Sequence, residues 1–385
     1  MPGPHHLVLV PGFFGFANLG DFAYFGHVRE YLADVGPALG LDGEIRVVAT
    51  EPTSSLARRA ALLAEAVSAL VASAGGEVSI VGHSCGGLDA RLFLTPGVLL
   101  PTEVNVEECA GRVRGVVTVA TPHHGARLAQ HFTGLFGQQL LRLLSLATVV
   151  ALRTGRLPIS VVLSLARLLH RPGAQPAGVV DHLFLQLLGD ITGKRRRAIE
   201  AFFGTVRSDQ GLVPQLTPAS MERFNTSTLD RPGVRYGSVV TRARPPGVRS
   251  LLRAGLGAYA QATHALFVVL YRFAAGRRDD PPGRVRPEHA QALRRAYRKL
   301  PDHRDSDGIV PTLSQPWGDV VAAAWADHHD VIGHFHRPTH VPPHFDWVAS
   351  GTGFDRLHFE VVWRQVAEYL GRGRGQVGRG PTPPG

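Results

Sequence analysis

Apolar positions along this chain follow two textures. In the first third, short apolar-rich runs recur: Leu7 to Val10, unbroken and stopped by Pro11-Gly12, then Val78 to Val81 and Val116 to Val119, with another short candidate at Arg46 to Ala49. Runs without polar alternation predict strands buried on both faces. Between them Leu56, Ala60, Leu63, Ala66, Val67, Leu70 and Val71 recur at helical spacing, with Arg58, Arg59 and Glu65 interposed, which predicts a helix over 54–72. Leu88 to Leu94 belongs to a further helix. Strand and helix alternating at this spacing imply right-handed crossovers and a mostly parallel sheet flanked by helices.

From about residue 125 the alternation stops. Phe132, Leu135, Phe136, Leu140, Leu141 and Leu144 predict one helix, and 160–169 predicts another, with no strand between them. We read about 126–204 as a helical insertion over the active edge of the sheet, with amphipathic pieces suited to a lipid–water interface. The apolar region from Leu251 to Phe273 predicts a second covering segment over about 248–275. Tyr236 to Thr241 reads as a returning strand, Arg277 to Arg286 as a loop and Val361 to Leu370 as the closing helix. Residues 1–370 then form one domain, and 371–385, rich in Gly, Arg and Pro, a disordered tail.

Composition narrows the function classes. With 385 residues, 44% of them hydrophobic, the chain can bury a sizeable core. Its formal charge of +10 comes almost entirely from arginine, clustered at Arg195-Arg196-Arg197, at Arg294-Arg295 and in the tail. Such a surface attracts polyanions. No basic helix interleaved with aromatics, finger or helix-turn-helix pattern accompanies it, which argues against nucleic acid as a partner. Cys85 and Cys109, the only cysteines, match neither a zinc ribbon nor a redox pair. The most apolar region, Leu140 to Leu169, is interrupted by Arg153, Gly155, Arg156, Pro158 and Arg167, so no transmembrane segment is expected. The first residues, Met1 to His6, lack the features of an export signal. That favours a cytoplasmic location, with secretion expected only if a signal has been removed.

Candidate chemistry centres on Gly82-His83-Ser84-Cys85-Gly86, a G-x-S-x-G pattern between a buried strand and a helix. In that setting the glycines permit a sharp turn that lifts the serine hydroxyl above the sheet edge. A serine needs an oriented base, and the later chain supplies Asp305-Ser306-Asp307-Gly308 and then Asp327-His328-His329-Asp330. The order Ser, Asp, His is that of triads built on this kind of sheet. Ser84 would attack an acyl carbon, His328 would shuttle the proton, and Asp307 would orient the imidazole. Asp305 and His329 are the local rivals. The oxyanion would meet the backbone N–H groups of Cys85, directly after the nucleophile, and Phe13, in the loop opened by Pro11-Gly12. A metal cluster such as His328, His334 and His336 is the other reading of the histidine-rich region, but no H-E-x-x-H frame supports it.

The ordered combination of several stretches resembles the bacterial triacylglycerol lipases, the "true lipase" branch of the α/β hydrolases. These are Pro11-Gly12-Phe13-Phe14-Gly15-Phe16, the elbow Gly82 to Gly87, Thr121-Pro122-His123-His124-Gly125, Leu216 to Met221 with Phe224-Asn225, Ser306-Asp307-Gly308 and His328-His329-Asp330. The resemblance implies an α/β-hydrolase fold with a mobile helical lid, Ser84, Asp307 and His328 as the triad, and Phe13 and Cys85 as oxyanion donors. It implies no cofactor for the chemistry. It does imply a structural calcium held beside the catalytic histidine by Asp330, with a second carboxylate upstream of the triad acid, for which Asp279 and Asp280 are candidates. Pro11 stands where these lipases usually have His, and Cys85 where they have His, Leu, Met or Gln. The expected substrates are lipid or small-molecule esters. Acyl transfer, or polyester or thioester hydrolysis, would use the same triad, and a non-catalytic interaction module of the same fold would show loss of a triad member.

Overall fold

The computed structural model describes residues 3–13, 24–51, 53–132, 143, 146–147, 157–170, 179–189, 211–275, 285–336, 346 and 348–372. Its six strands are β1 (His5–Val10), β2 (Ile45–Val47), β3 (Glu77–His83), β4 (Val113–Val119), β5 (Arg235–Thr241) and β6 (Asp319–Ala324). They lie in the order β2-β1-β3-β4-β5-β6, and every neighbouring pair is parallel. Helices α1 (Gly26–Val35), α2 (Leu56–Ala74), α3 (Gly86–Leu94) and α4 (Val106–Ala110) fall among the first four strands. Between β4 and β5 come α5 (Arg127–His131), α6 (Ile159–His170), α7 (Val179–Gly189), α8 (Leu212–Gln215) and α9 (Pro218–Ser227). The chain continues through α10 (Val248–Ala254), α11 (Ala258–Ala274), α12 (Pro287–Tyr297) and, after β6, α13 (Arg356–Gly371). A parallel sheet covered by helices, with a large helical insertion, is the α/β-hydrolase fold.

Alternation along β1 shows why both strand faces are apolar. Leu7 and Leu9 pack with Tyr31 and Leu32 of α1 and with Phe359 and Trp363 of α13, whereas Val8 and Val10 pack with Leu63 and Val67 of α2 and with Phe93 of α3. Burial on both sides removes the polar alternation an exposed sheet face would impose. Because β2 and β3 flank β1 on opposite sides, the chain reverses direction across the sheet there. The crevice beyond the carboxyl ends of strands at such a switch point is where open α/β sheets bind ligands. Pro11-Gly12-Phe13 leaves β1 and Ser84 leaves β3 at that crevice.

The region read as one apolar stretch, Leu251 to Phe273, is two helices, α10 and α11, parted by Gly255, whose φ of 111° suits glycine alone. Six elements escaped the apolar pattern: α1, α4, α8, α9, α12 and β6. In α12 only His289, Leu293 and Tyr297 are buried, a narrow stripe on an otherwise polar helix. β6 is a short, alanine-rich edge strand with little apolar contrast. Most of the helix expected around Phe132 to Leu144, most of the loop at Arg277 to Arg286 and the tail beyond 372 lie outside the described residues.

Candidate active site

Ser84 occupies the turn between β3 and α3 with φ 55°, a left-handed conformation rare for a residue with a side chain. Strain of this kind costs about 1–3 kcal/mol and persists only where surrounding contacts enforce it. Here the Ser84 N–H donates to Val119 O at 2.8 Å, tying the turn to the end of β4. Close backbone approach does the rest: a Cβ on Gly86 would stand 2.3 Å from Val10 O, and one on Gly12 would stand 2.5 Å from Ser84 Cβ. The glycines therefore bring the end of β1 against the serine.

His328 Nδ1 lies 2.9 Å from Asp307 Oδ2. A carboxylate only accepts, so Nδ1 carries the proton and Nε2 is left with a lone pair. Asp307 is itself held from several directions. Its Oδ1 accepts the N–H groups of Ile309 and Val310 at 2.9 and 2.7 Å, and its Oδ2 accepts the Thr241 hydroxyl at 2.8 Å and the Gln315 amide at 3.3 Å. The rival Asp305 is committed elsewhere, accepting from Arg242 Nη2 at 2.6 Å in a buried ion pair. The rival His329 also lines the pocket, but burial, with a smaller effect from His328, holds its imidazole down at about 3.

A hydrogen-bond chain that no spacing in the sequence reveals ties these loops together. His83 Nε2 is 2.9 Å from the His328 carbonyl, which can only accept, so His83 donates there. Its Nδ1 must then accept from the Tyr24 hydroxyl, at 2.6 Å, and the Tyr24 oxygen accepts the Gly12 N–H at 3.3 Å. Burial first, then the neighbouring His328 and His329, keep His83 neutral by lowering its pKa well below the ordinary value. Arg59, fully buried, adds a second tie. It pairs with Asp89 of α3 at 2.7 Å and donates to Pro11 O at 2.7 Å, pinning the turn before Phe13 to the helix after Ser84. The middle position of G-x-S-x-G was the one available signal for His83; Tyr24, Arg59, Thr241 and Gln315 carried none.

Ser84, His328 and Phe13 line one pocket of about 770 Å³, its open mouth included. Its other walls are apolar and come from the loop after β4 and α5 (Pro122, Ala126, Leu128, Phe132), from α8 (Val213) and from α11 (Leu270). Cys85 stands directly before α3 and is buried. Burial pushes its thiol up to about 12, so it stays protonated at neutral pH.

Beside His328, single carboxylate oxygens of Asp327, Asp330 and Asp346 lie within 4.8 Å of one another. Burial, then the charges of Asp327 and Asp346, raise the Asp330 carboxyl well above the carboxylate range, and burial with Asp327 does the same to Asp346. Asp327 Oδ2 is buried with no donor in hydrogen-bonding geometry among the described residues. Three hard oxygen donors that repel one another, one of them an orphan, fit a hard divalent cation such as calcium. Asp330 belongs to this cluster, with Asp327 and Asp346 as companions that the sequence did not mark as ligands. Asp279 and Asp280 lie outside the described residues. The imagined trio of His328, His334 and His336 is not brought together as a metal group among the described residues. His328 Nδ1 is on Asp307, and His334 Nε2 is 3.1 Å from Tyr24 O.

No protein-family model matches the chain, and no curated protein matches it in sequence. Among solved structures it is similar to EstA from Clostridium botulinum, at 17% identity and TM-score 0.53, over 96% of this chain and 88% of that one. It is also similar to lipase 1 from Pelosinus fermentans, at 16% identity and TM-score 0.51, over 95% of this chain and 99% of that one. Staphylococcus hyicus lipase aligns at 16% identity and TM-score 0.50, over 96% and 97% of the two chains. At these identities the likeness is one of fold.

Proposed function

We propose that this protein is a serine hydrolase that cleaves carboxylic esters of lipids through an acyl-enzyme. The observation that carries the reading is one apolar pocket lined by both a strained Ser84 and a His328 oriented by Asp307. Structures of the same fold that are named lipase support the reaction class. The ordered motifs support the lipase branch.

In this mechanism His328 Nε2 takes the Ser84 proton as Oγ attacks the ester carbonyl carbon. The carbonyl π-bond opens to an oxyanion, which the backbone N–H groups of Phe13 and Cys85 receive. The imidazolium, stabilised by Asp307, returns the proton to the departing alkoxide as the C–O bond breaks. Water then repeats the sequence on the acyl-enzyme, releasing the acid and restoring Ser84. The Gly12–Tyr24–His83 chain and the Arg59 tie keep the oxyanion loop, the elbow and the base loop in register. The insertion over about 126–204 and, within the segment over about 248–275, α11 act as the cover, giving the acyl chain apolar walls such as Leu128 and Leu270.

A chain-length series of p-nitrophenyl esters and emulsified triglycerides, with Ser84→Ala as the comparison, tests the proposal. Wild type turns over acyl chains long enough to fill the pocket, and Ser84→Ala loses at least about 10³-fold in kcat. Equal turnover by the two proteins, or none by wild type on any ester, would refute it.

If calcium binds, Asp327, Asp330 and Asp346 hold it and it cancels their mutual repulsion, pinning the loop that carries His328. Calcium then raises the Tm by several degrees, about 5 °C at saturating levels, and chelation reverses the gain. The sign with pH follows from the raised carboxyl pKa values of Asp330 and Asp346. Their repulsion weighs on the metal-free fold above those values and is relieved as protons bind below them, while the cation needs the ionised forms. The calcium-dependent gain in Tm therefore shrinks on acidification. Identical Tm in calcium and chelator at pH 8 would exclude the site.

A further inference from the structure

The described surface exposes a concentration of large apolar side chains on one short element. Val248 is 74% exposed, Leu252 58% and Leu256 80%, with Leu251 beside them. Only Ser250 of α10 is buried, so the helix is held by one side and presents the rest to solvent. Arg249 and Arg253 lie exposed among these residues, and Arg244 precedes them. From Arg231 to Arg278 the chain has nine arginines and not one Asp or Glu; Arg231 and Arg242 pair with Glu107 and Asp305 from elsewhere in the chain, and Arg244, Arg249 and Arg253 are the ones at α10.

We propose that α10 and the turn after it form a peripheral anchor for a bilayer surface bearing anionic headgroups. The arrangement is that of an interfacial segment: leucines to enter the acyl boundary and arginines spaced between them to meet phosphates. Burial, then the nearby charge of Arg253, hold the Arg244 guanidinium below its ordinary value, which marks two cations set near one another. Leucine-rich exposure alone would suit any apolar partner; the positive charge of Arg244, Arg249 and Arg253 among the leucines selects an anionic one. A second copy is disfavoured, because a twofold contact would set this arginine stretch against itself.

The anchor adjoins a loop that lines the pocket. Gly351 packs against the Ser250 carbonyl so closely that a Cβ there would come within 2.2 Å of it, and Val348 of the same loop lines the pocket. On the other side, the Leu157 N–H donates to the Tyr259 hydroxyl at 3.2 Å, which brings the start of α6, with Ile159 and Leu163 exposed, alongside the start of α11. The surface thus extends from α10 toward the insertion.

Vesicle flotation with the full chain tests this, using pure phosphatidylcholine against an equal mixture of phosphatidylcholine and phosphatidylglycerol. The protein is expected to float with the mixed vesicles, to bind pure phosphatidylcholine much more weakly, and to be released at high salt. Arg249→Gln with Arg253→Gln should weaken binding roughly 30-fold, about fivefold per arginine. Leu252→Ser with Leu256→Ser should weaken it at least as much, and both variants should keep wild-type turnover of a soluble short-chain ester. Ser84→Ala should bind vesicles like wild type, so loss of ester hydrolysis and loss of anchoring are separate results. Equal binding to both vesicle types, or unchanged binding by both double variants, would overturn the proposal. So would a dimer in solution that the leucine variant converts to monomer, since the face would then belong to a second copy.

Discussion

His328→Ala is expected to lower kcat about 10⁴-fold or more, whereas His329→Ala should change it less than about tenfold. The two imidazoles are adjacent, with ring centroids 5.5 Å apart, and both line the pocket. Only His328 meets Asp307, through a 2.9 Å hydrogen bond that fixes its tautomer and leaves a basic nitrogen. His329 is held neutral by burial, and the contact that anchors it near Asp327 is its backbone N–H, which alanine retains. Steady-state kinetics on a soluble ester, with circular dichroism to verify folding, measure both variants. A larger loss in His329→Ala would mean that the base has been misassigned.

Asp307→Asn and Asp305→Asn are expected to fail in different ways. Asparagine at 307 can still accept from the Ile309 and Val310 N–H groups, so the loop keeps its shape. The amide cannot stabilise an imidazolium, and the neutral side chain favours the wrong tautomer of His328; kcat should fall about 10⁴-fold with little change in Tm. At 305 the position is reversed. Arg242 is 1% exposed and Asp305 is its carboxylate partner, so neutralising Asp305 leaves a buried cation uncompensated and should remove about 3–5 kcal/mol of stability. Folded Asp305→Asn at low temperature should retain near-normal turnover. Thermal denaturation beside kcat separates the two, and a large kcat loss in Asp305→Asn at full stability would contradict the assignment.

Strands buried on both faces were legible because apolar residues dominate their runs, unbroken in β1 and interrupted only by small or hydroxyl residues such as Ser79 in β3 and Thr118 in β4, and β1, β3, β4 and β5 each contain the run that predicts them. The elbow was legible because glycine and serine stand at fixed offsets between a strand and a helix. What could not be read depends on contacts across long separations. Tyr24 meets His83 from 59 positions away, and Asp346 joins Asp327 and Asp330 from another loop, with no local pattern to announce either. Thr241 and Gln315 look like ordinary polar residues until the sheet brings the end of β5 to Asp307. Choosing Asp307 over Asp305 required seeing which carboxylate Arg242 had already taken.

The central claim is that Ser84 is the nucleophile, and covalent labelling tests it most directly. A fluorophosphonate should add once per chain, with inactivation tracking the adduct, and peptide mass mapping should place it on Ser84. Cys85, whose thiol burial pushes up to about 12, should remain unmodified, and Ser84→Ala should not react. An adduct mapped to another residue, or full ester hydrolysis persisting in unlabelled Ser84→Ala, would contradict the account.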